Sequence, residues 1–241
     1  MRAETRHQLK TDRFSKATIQ AAEQTVDWTV EHRSKLIVAA VVTVIVVSIG
    51  LGSWYYLEQQ DAKASVDFSK AVQTIDTPIR SADTPPQPDY PSFGSAKERA
   101  EEARKQFQAI VNKYPHTRSA DFAHYFLGVT SADLGDQVAA ERELKMVAGY
   151  HNTDLSSLAK LALASVYVNT NRTRDALEIY KDLIRKPSRT VGKSAAEMQL
   201  AATYQTAGMI AEAKKQYQQI QKEAPQSDAA QLASAKLEEL K

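Results

Sequence analysis

The sequence contains no cysteine, and this absence removes several classes of site at once. Disulfide bridges, thiol nucleophiles, zinc fingers and cysteine-ligated iron–sulfur clusters all need the thiol side chain, so none of them can form. The cellular compartment does not follow from this, because a sufficiently large core can do without bridges even in an oxidising space.

Glycine and proline are also scarce, with eight of each in 241 residues, and aromatic residues make up only 7%. This composition excludes fibrous and disordered classes of protein.

Charge is nearly balanced, since 31 Lys and Arg against 29 Asp and Glu give a formal net charge of +2. The balance gives no support to a nucleic-acid binder with a basic face.

Catalytic and cofactor-binding motifs are missing as well. No GxSxG, HExxH, P-loop or GxGxxG motif occurs. The histidines are not spaced as metal ligands, and His124 is expected to be a packing or groove residue. We therefore predict no catalytic residue, no metal site, no cofactor and no enzymatic activity. The five histidines are His7, His32, His116, His124 and His151.

One stretch near the N-terminus, residues 36–57, carries no charged residue and reads LIVAAVVTVIVVSIGLGSWYYL. At 1.5 Å per residue a helix of this length spans about 33 Å, which is enough to cross a hydrocarbon core of roughly 30 Å. Its far end carries Trp54, Tyr55 and Tyr56, and such rings favour the membrane interface. A helix that is apolar on every face has nothing to pack against but lipid, so we predict a transmembrane signal-anchor helix.

The segment before this span sets its predicted orientation. Residues 1–35 carry seven Lys or Arg against five acidic residues, whereas beyond the span the two signs are equal in number. The positive-inside rule then places the N-terminus in the cytoplasm and the C-terminal domain outside it. Cleavage as a signal peptide is disfavoured, because the apolar run is long and begins late. An apolar stripe in the cytoplasmic tail indicates either an amphipathic helix or a solvated lead-in.

The remainder of the chain has helical periodicity and no alternating strand pattern, so the predicted fold class is all-α. Five of the eight prolines lie between Pro78 and Pro91. Since proline disfavours helix, we predict a Pro-rich loop over 77–95 and a small-residue-rich helix over 58–76.

Three C-terminal segments align without gaps at offsets of 36 and 37 residues. The matched positions begin with a large–small pair and continue with a turn residue that tolerates a left-handed backbone. A small residue then lies where two helices cross, and two large apolar residues fill the space beyond the crossing. The matched columns are Leu127-Gly128, Leu163-Ala164 and Leu200-Ala201; Gly135, Asn171 and Gly208; Ala140, Ala176 and Ala213; Leu144, Tyr180 and Tyr217; and Val147, Leu183 and Ile220.

These columns predict an α-solenoid of three full helix-pair repeats with one imperfect N-terminal unit and a C-terminal capping helix. Residues 61–75 are expected to replace the missing first helix of the imperfect unit. In the cap, Leu232, Ala235 and Leu240 are expected to face inward. The predicted units are about 96–118, 119–154, 155–191 and 192–225, with the cap at 226–241.

With these columns in view, the chain resembles the tetratricopeptide repeat superfamily. Its period of 36–37 residues departs from the usual 34, and no Trp opens a repeat. The layout of tail, span, small-residue helix and repeats is also similar to the ancillary SecYEG translocon subunit family (YfgM-like). This resemblance implies a bacterial inner-membrane protein with a periplasmic repeat domain that binds the translocon and periplasmic chaperones.

Repeat proteins of this kind bind through the concave side that is lined by their first helices. Helical spacing and the family resemblance together predict a largely apolar protein-binding groove, which suits an amphipathic helix or a nonpolar segment. The alternative is that these residues only pack the domain, or that helix 61–75 fills the groove. The predicted groove residues are Phe122, Tyr125, Val129 and Asp133, then Leu158, Leu161, Ser165 and Asn169, and then Met198, Ala202 and Gln205.

The resulting hypothesis is a non-catalytic, membrane-anchored scaffold for protein–protein interaction, which assists protein secretion with translocon and chaperone partners and binds no nucleic acid or small-molecule substrate. One alternative keeps the scaffold but gives it cell-division or outer-membrane assembly factors as clients. A less favoured alternative is an enzyme with an unrecognised site, which a polar pocket with convergent titratable groups would support.

Overall fold

A computed structural model of the chain describes residues 32–81, 83, 85 and 91–240. Within these ranges the protein is all-α, as predicted, with no strand beyond an isolated bridge between Ile79 and Phe93. The predicted cytoplasmic tail, apart from its last residues, and part of the Pro-rich loop lie outside the described residues. The helices are α1 (Arg33–Asp76), α2 (Ala96–Lys113), α3 (Arg118–Asp133), α4 (Gln137–Ala148), α5 (Thr153–Asn169), α6 (Thr173–Arg185), α7 (Lys193–Thr206), α8 (Ile210–Glu223) and α9 (Asp228–Glu239).

Helix α1 contains both the predicted span and the predicted small-residue helix, without an interruption. The chain divides into two compact units between Tyr56 and Leu57. Every side chain from residue 36 to residue 57 is exposed. By length and composition, α1 is a helix that could cross a membrane.

The helix starts follow from short polar side chains that accept a hydrogen bond from the first free backbone N–H groups. Ser95 accepts from Glu98 N, Thr117 from Ala120 N and Asp136 from Ala139 N. The same role is taken by Asn152 at the start of α5 and by Ser227 at the start of α9.

The turns inside the three aligned segments have the left-handed backbone that their sequences predicted. Gly135, Asn171 and Gly208 have φ of +81°, +59° and +75°. Glycine and asparagine adopt this conformation with little or no steric cost, which lets each pair of helices join through a short turn.

From residue 57 onward, each helix packs against the next, and α3 also contacts α5 while α7 contacts α9. Every member of the predicted packing columns, apart from the turn residues, is buried. Gly128 shows why its column holds small residues, since a Cβ added at Gly128 would lie 2.6 Å from Leu144 Cγ.

Residues 57–76 of α1 pack against α2 and α3 in a cluster with Ala103, Phe107 and Ile110. Two carboxylates of this segment fix it further. Asp61 Oδ1 accepts hydrogen bonds from Ser119 N and Ser119 Oγ, each at 2.9 Å, and Asp67 Oδ2 accepts one from the Tyr114 hydroxyl at 2.9 Å.

The prediction for α9 was wrong in part. Leu232 and Ala235 are exposed, whereas Ala230 and Ala233 are the buried residues of this helix. Leu240 packs against the last core cluster, as predicted. The alanines Ala230 and Ala233 thus take the most buried positions of this helix, and Leu232 lies outside that packed face.

Candidate protein-binding surface

The eleven predicted groove residues lie on α3, α5 and α7, which we call the first helices because each opens one of the aligned segments. We call the surface they form the first-helix face. None of the eleven is buried, although several are only partly exposed. Its members are Phe122, Tyr125, Val129, Asp133, Leu158, Leu161, Ser165, Asn169, Met198, Ala202 and Gln205.

Aromatic rings form the α3 end of the first-helix face. Phe122 is 37% exposed, and its ring centroid lies 6.2 Å from that of Phe68 in α1. Tyr125 meets Phe126 edge-on at 5.2 Å, and burial raises the pKa of the Tyr125 hydroxyl. Phe68 also contacts Phe107 and Phe126, so residues 57–76 of α1 border this end of the face.

Aliphatic and small polar groups form the middle of the face, on α5. Leu158 and Leu161 are partly buried and pack against the central core cluster. The Ser165 hydroxyl lies 3.4 Å from the carbonyl of Leu161, and Asn169 is exposed. This part therefore offers apolar area with two neutral polar groups at its C-terminal end.

The α7 end of the face has smaller side chains. Met198 packs partly against the last core cluster, and Ala202 is exposed. Gln205 has a structural role that helical spacing could not reveal, because its Oε1 accepts a hydrogen bond from the Tyr217 hydroxyl at 3.2 Å. Of the eleven residues, only Asp133 carries a charge.

Two further residues of the first helices contact the helix that follows in the chain, α4 for His124 and α6 for Lys160. These contacts were not predicted from the sequence. His124 Nδ1 lies 2.8 Å from Glu143 Oε2, and Lys160 Nζ donates to Asp182 Oδ2 at 3.1 Å. The His124 contact lowers the pKa of Glu143. The signal was the common spacing of His124, Lys160 and Glu197 at 36 and 37 residues.

Two cavities lie away from the first-helix face. One of about 410 Å³ is lined by charged residues of α2 and α4, among them Arg104 and Glu143. The other, of about 470 Å³, includes Lys160, Tyr167 and Asp182 in its lining. Glu143 and Asp182 are in ion pairs, with pKa values lowered by their partners, so neither is set up as a general acid or base at neutral pH. Among the described residues no group of three or more potential metal-binding side chains comes together.

Comparison with known protein families supports a repeat fold. A family model described as a tetratricopeptide repeat-like domain matches residues 27–241. No curated protein matches the chain. Folds of this kind typically serve as non-catalytic scaffolds for interaction between proteins.

Proposed function

Because the chain belongs to the tetratricopeptide repeat-like domain family, we propose that it is a membrane-anchored scaffold whose first-helix face binds a nonpolar segment of another protein. In this proposal α3 to α8 are three full helix pairs. Residues 57–76 and α2 form an imperfect N-terminal unit, and α9 ends the array.

The observation that carries the proposal is the chemistry of the first-helix face. Apolar and small neutral side chains follow one another across three helices, and all of them keep some access to solvent. Contiguous exposed apolar surface on a soluble domain marks an interaction site, since leaving it in water costs free energy. A charged or phosphorylated ligand would find one acidic residue and no cation among the eleven.

The anchor is the apolar part of α1, residues 36–57. Its side chains are exposed around the whole circumference, which suits contact with lipid chains. The basic residues of the preceding tail support a cytoplasmic N-terminus and a periplasmic repeat domain in a bacterial inner membrane. Anchoring raises the local concentration of the face beside a membrane complex, so that weak contacts become effective.

The proposed clients are the secretion translocon and periplasmic chaperones that handle emerging chains. Such chains expose nonpolar segments before they fold, and these match the first-helix face. The similarity in layout to the ancillary translocon subunit family supports the same assignment.

The first experiment identifies the partner in living cells. A photo-crosslinking amino acid replaces Tyr125 or Leu161 in the full-length chain, with exposed Gln218 of α8 as the control position. We expect translocon subunits or periplasmic chaperones in the adducts at Tyr125 and Leu161 and not at Gln218. Recovery of cell-division or outer-membrane assembly proteins without any translocon component would overturn the assignment.

A second experiment tests the orientation. A reporter that is active only in the periplasm is fused after Lys241 of the full-length chain. We expect activity, because the positive-inside rule exports the repeat domain. Activity of a cytoplasm-specific reporter at the same position, with silence from the periplasmic one, would contradict the proposed topology.

A further inference from the structure

A column of four alanines shows how α9 is aligned with the first helices. Ala123, Ala159, Ala196 and Ala233 follow one another at 36, 37 and 37 residues, and each is fully buried. Ala233 thus has the same position in α9 that the other three have in α3, α5 and α7. Helix α9 contacts α7 and α8, the two helices of the preceding pair.

This register places an exposed leucine in line with the first-helix face. The residues immediately before the four alanines are Phe122, Leu158, Ala195 and Leu232. Leu232 is 51% exposed, although it is the largest apolar side chain in the first half of α9. The inward contacts of α9 come instead from Ala230, Ala233, Leu237 and Leu240.

We propose that the binding surface continues onto α9, with Leu232 as a contact residue for the partner and not merely part of a cap. The inference rests on the proposed function, because it extends the same face by one helix. A second set of aligned positions supports the proposal. Tyr125, Leu161 and Met198 of the first-helix face align with Ala235 of α9, which is also exposed.

The profile of side-chain size along this surface defines the occupant. Ala195 is exposed and lies in sequence register between Leu158 and Leu232, so the side chain at this position of α7 is smaller than those aligned before and after it. A bulky apolar side chain of the partner fits there. All seven predicted face residues of α5 and α7 are neutral, so they offer no charge to pair with a charged group of the partner.

A charged residue at the α3 end of the face predicts which way the partner segment runs across it. Asp133 is exposed in the last turn of α3, where an acidic residue opposes the helix dipole and does not stabilise the helix. A basic residue of the partner would complement it. The occupant is therefore an amphipathic helix with an uncharged apolar stripe, a bulky residue over Ala195 and a Lys or Arg toward Asp133.

The size of the surface sets the length of that helix. Neighbouring packed helices lie about 8–10 Å apart, so the path from α3 to α9 covers roughly 25–30 Å. At 1.5 Å per residue a helical segment of about 17–20 residues spans it. Without α9 the path would be shorter by one helix.

The test places the photo-crosslinking amino acid at Leu232 of the full-length chain in cells, with Leu161 as the reference position. Glu238 is the control, because it is exposed on the same helix but in register with the buried Gly128, Ala164 and Ala201. We expect Leu232 and Leu161 to be joined to the same partner, within one apolar helical segment identified by mass spectrometry, and Glu238 to give no such adduct.

Substitutions complete the test by measuring the adduct formed at Leu161. We expect Leu232→Asp and Ala195→Trp each to reduce it about tenfold, the effect of losing an energetically dominant contact, while Glu238→Ala leaves it unchanged. Unchanged thermal unfolding of Leu232→Asp would show that the loss is not due to misfolding.

The outcomes separate the two proposals. An adduct at Leu161 that survives Leu232→Asp, with no adduct at Leu232, would overturn the extension onto α9 and leave the proposed function standing. Absence of any adduct at Leu161, Tyr125 and Leu232 would overturn both. An adduct at Leu232 with a different protein from that at Leu161 would also contradict a continuous surface.

Discussion

Apolar residues lie on α-helices in two regions of this chain, but they are exposed in one region and buried in the other. Between residues 36 and 57 they lie on an α-helix and are exposed on every side, whereas between residues 96 and 240 those in the matched packing columns lie on α-helices and are buried. Trp54 is 63% exposed while Phe107 is 0% exposed. Residues 36–57 carry no charged residue, whereas charged and apolar residues are mixed along the repeat helices.

The physical reason lies in what each arrangement can bury. In the repeat helices, polar residues interrupt the apolar ones at the helical period, so that one face packs and the other meets water. In the first region no polar face exists, and no neighbouring helix within the described residues covers it. The same hydrophobic effect therefore drives helix packing in the repeat region and, in the proposed anchor, contact with lipid.

The largest expected effect comes from an aromatic truncation in each region. Phe107→Ala should lower the free energy of unfolding of the repeat domain by about 3–5 kcal/mol, because it leaves a cavity among packed rings. Trp54→Ala should leave that free energy unchanged. Chemical denaturation of both full-length variants, followed by circular dichroism, measures the difference, and equal losses would erase the contrast between the regions.

A charge in the apolar helix should act on the membrane and not on the repeat fold. Val44→Lys makes insertion less favourable by about 3–4 kcal/mol, because a central Lys replaces a favourable Val. Val138→Lys on the exposed side of α4 is the matched control. The fraction of each variant that resists carbonate extraction from membranes reports the effect. Full extraction resistance of Val44→Lys would argue against a span centred there.

Replacing an alanine of α8 by leucine should lower stability at a buried position and have little effect at an exposed one. Ala213→Leu puts a large side chain where α7 and α8 cross and should cost roughly 1–3 kcal/mol. Ala211→Leu, two residues earlier and exposed, should cost little. Thermal unfolding of the two variants gives the comparison. Equal stability of both would refute the repeat register on which the first-helix face is defined.

The smallest expected effect concerns a buried carboxyl group in α7. Glu197 is buried, one of its oxygens has no hydrogen-bond partner, and its closest cation is Lys193 at 3.5 Å. Burial, and next the charge of Glu223, raise the pKa of Glu197. Because the folded-state pKa lies above the unfolded one, this group favours folding at low pH and that contribution is lost as the pH rises through the folded-state pKa.

Glu197→Gln should therefore raise stability at neutral pH by roughly 1 kcal/mol or less, since a buried charge is removed. It should also flatten the dependence of the unfolding midpoint on pH as the pH rises above the ordinary pKa of a glutamate side chain. Glu212→Gln, at an exposed position of α8, serves as the control. A variant that is less stable than the parent at pH 7 would show that the Lys193 contact outweighs the burial.

Much of the fold could be predicted from short-range patterns. The left-handed turns at Gly135, Asn171 and Gly208 depend on the residue type, and their positions in the alignment located them. These features are local, so the sequence carried enough information to place them.

The errors came from residues whose environment depends on distant neighbours. Leu232 was expected to face inward because it is large and apolar, but it is exposed, and the buried residues of α9 are Ala230 and Ala233. Gln205 lies on the first-helix face as spacing and the family resemblance predicted, but its hydrogen bond with Tyr217 of the next helix could not be predicted. Side-chain type could not distinguish these cases, because both depend on how near the neighbouring helix lies.

The amino-acid sequence by itself determined the helical character of the chain, its apolar segment, its turns and the period of its packing columns, because each depends on residues within one or two helical turns of one another. Only the tertiary structure decided which apolar side chains remain exposed, such as Leu232, and that Asp61 and Asp67 bond residues 57–76 to Ser119 and Tyr114. Those outcomes depend on distances between helices, and no local pattern sets such distances before the helices pack.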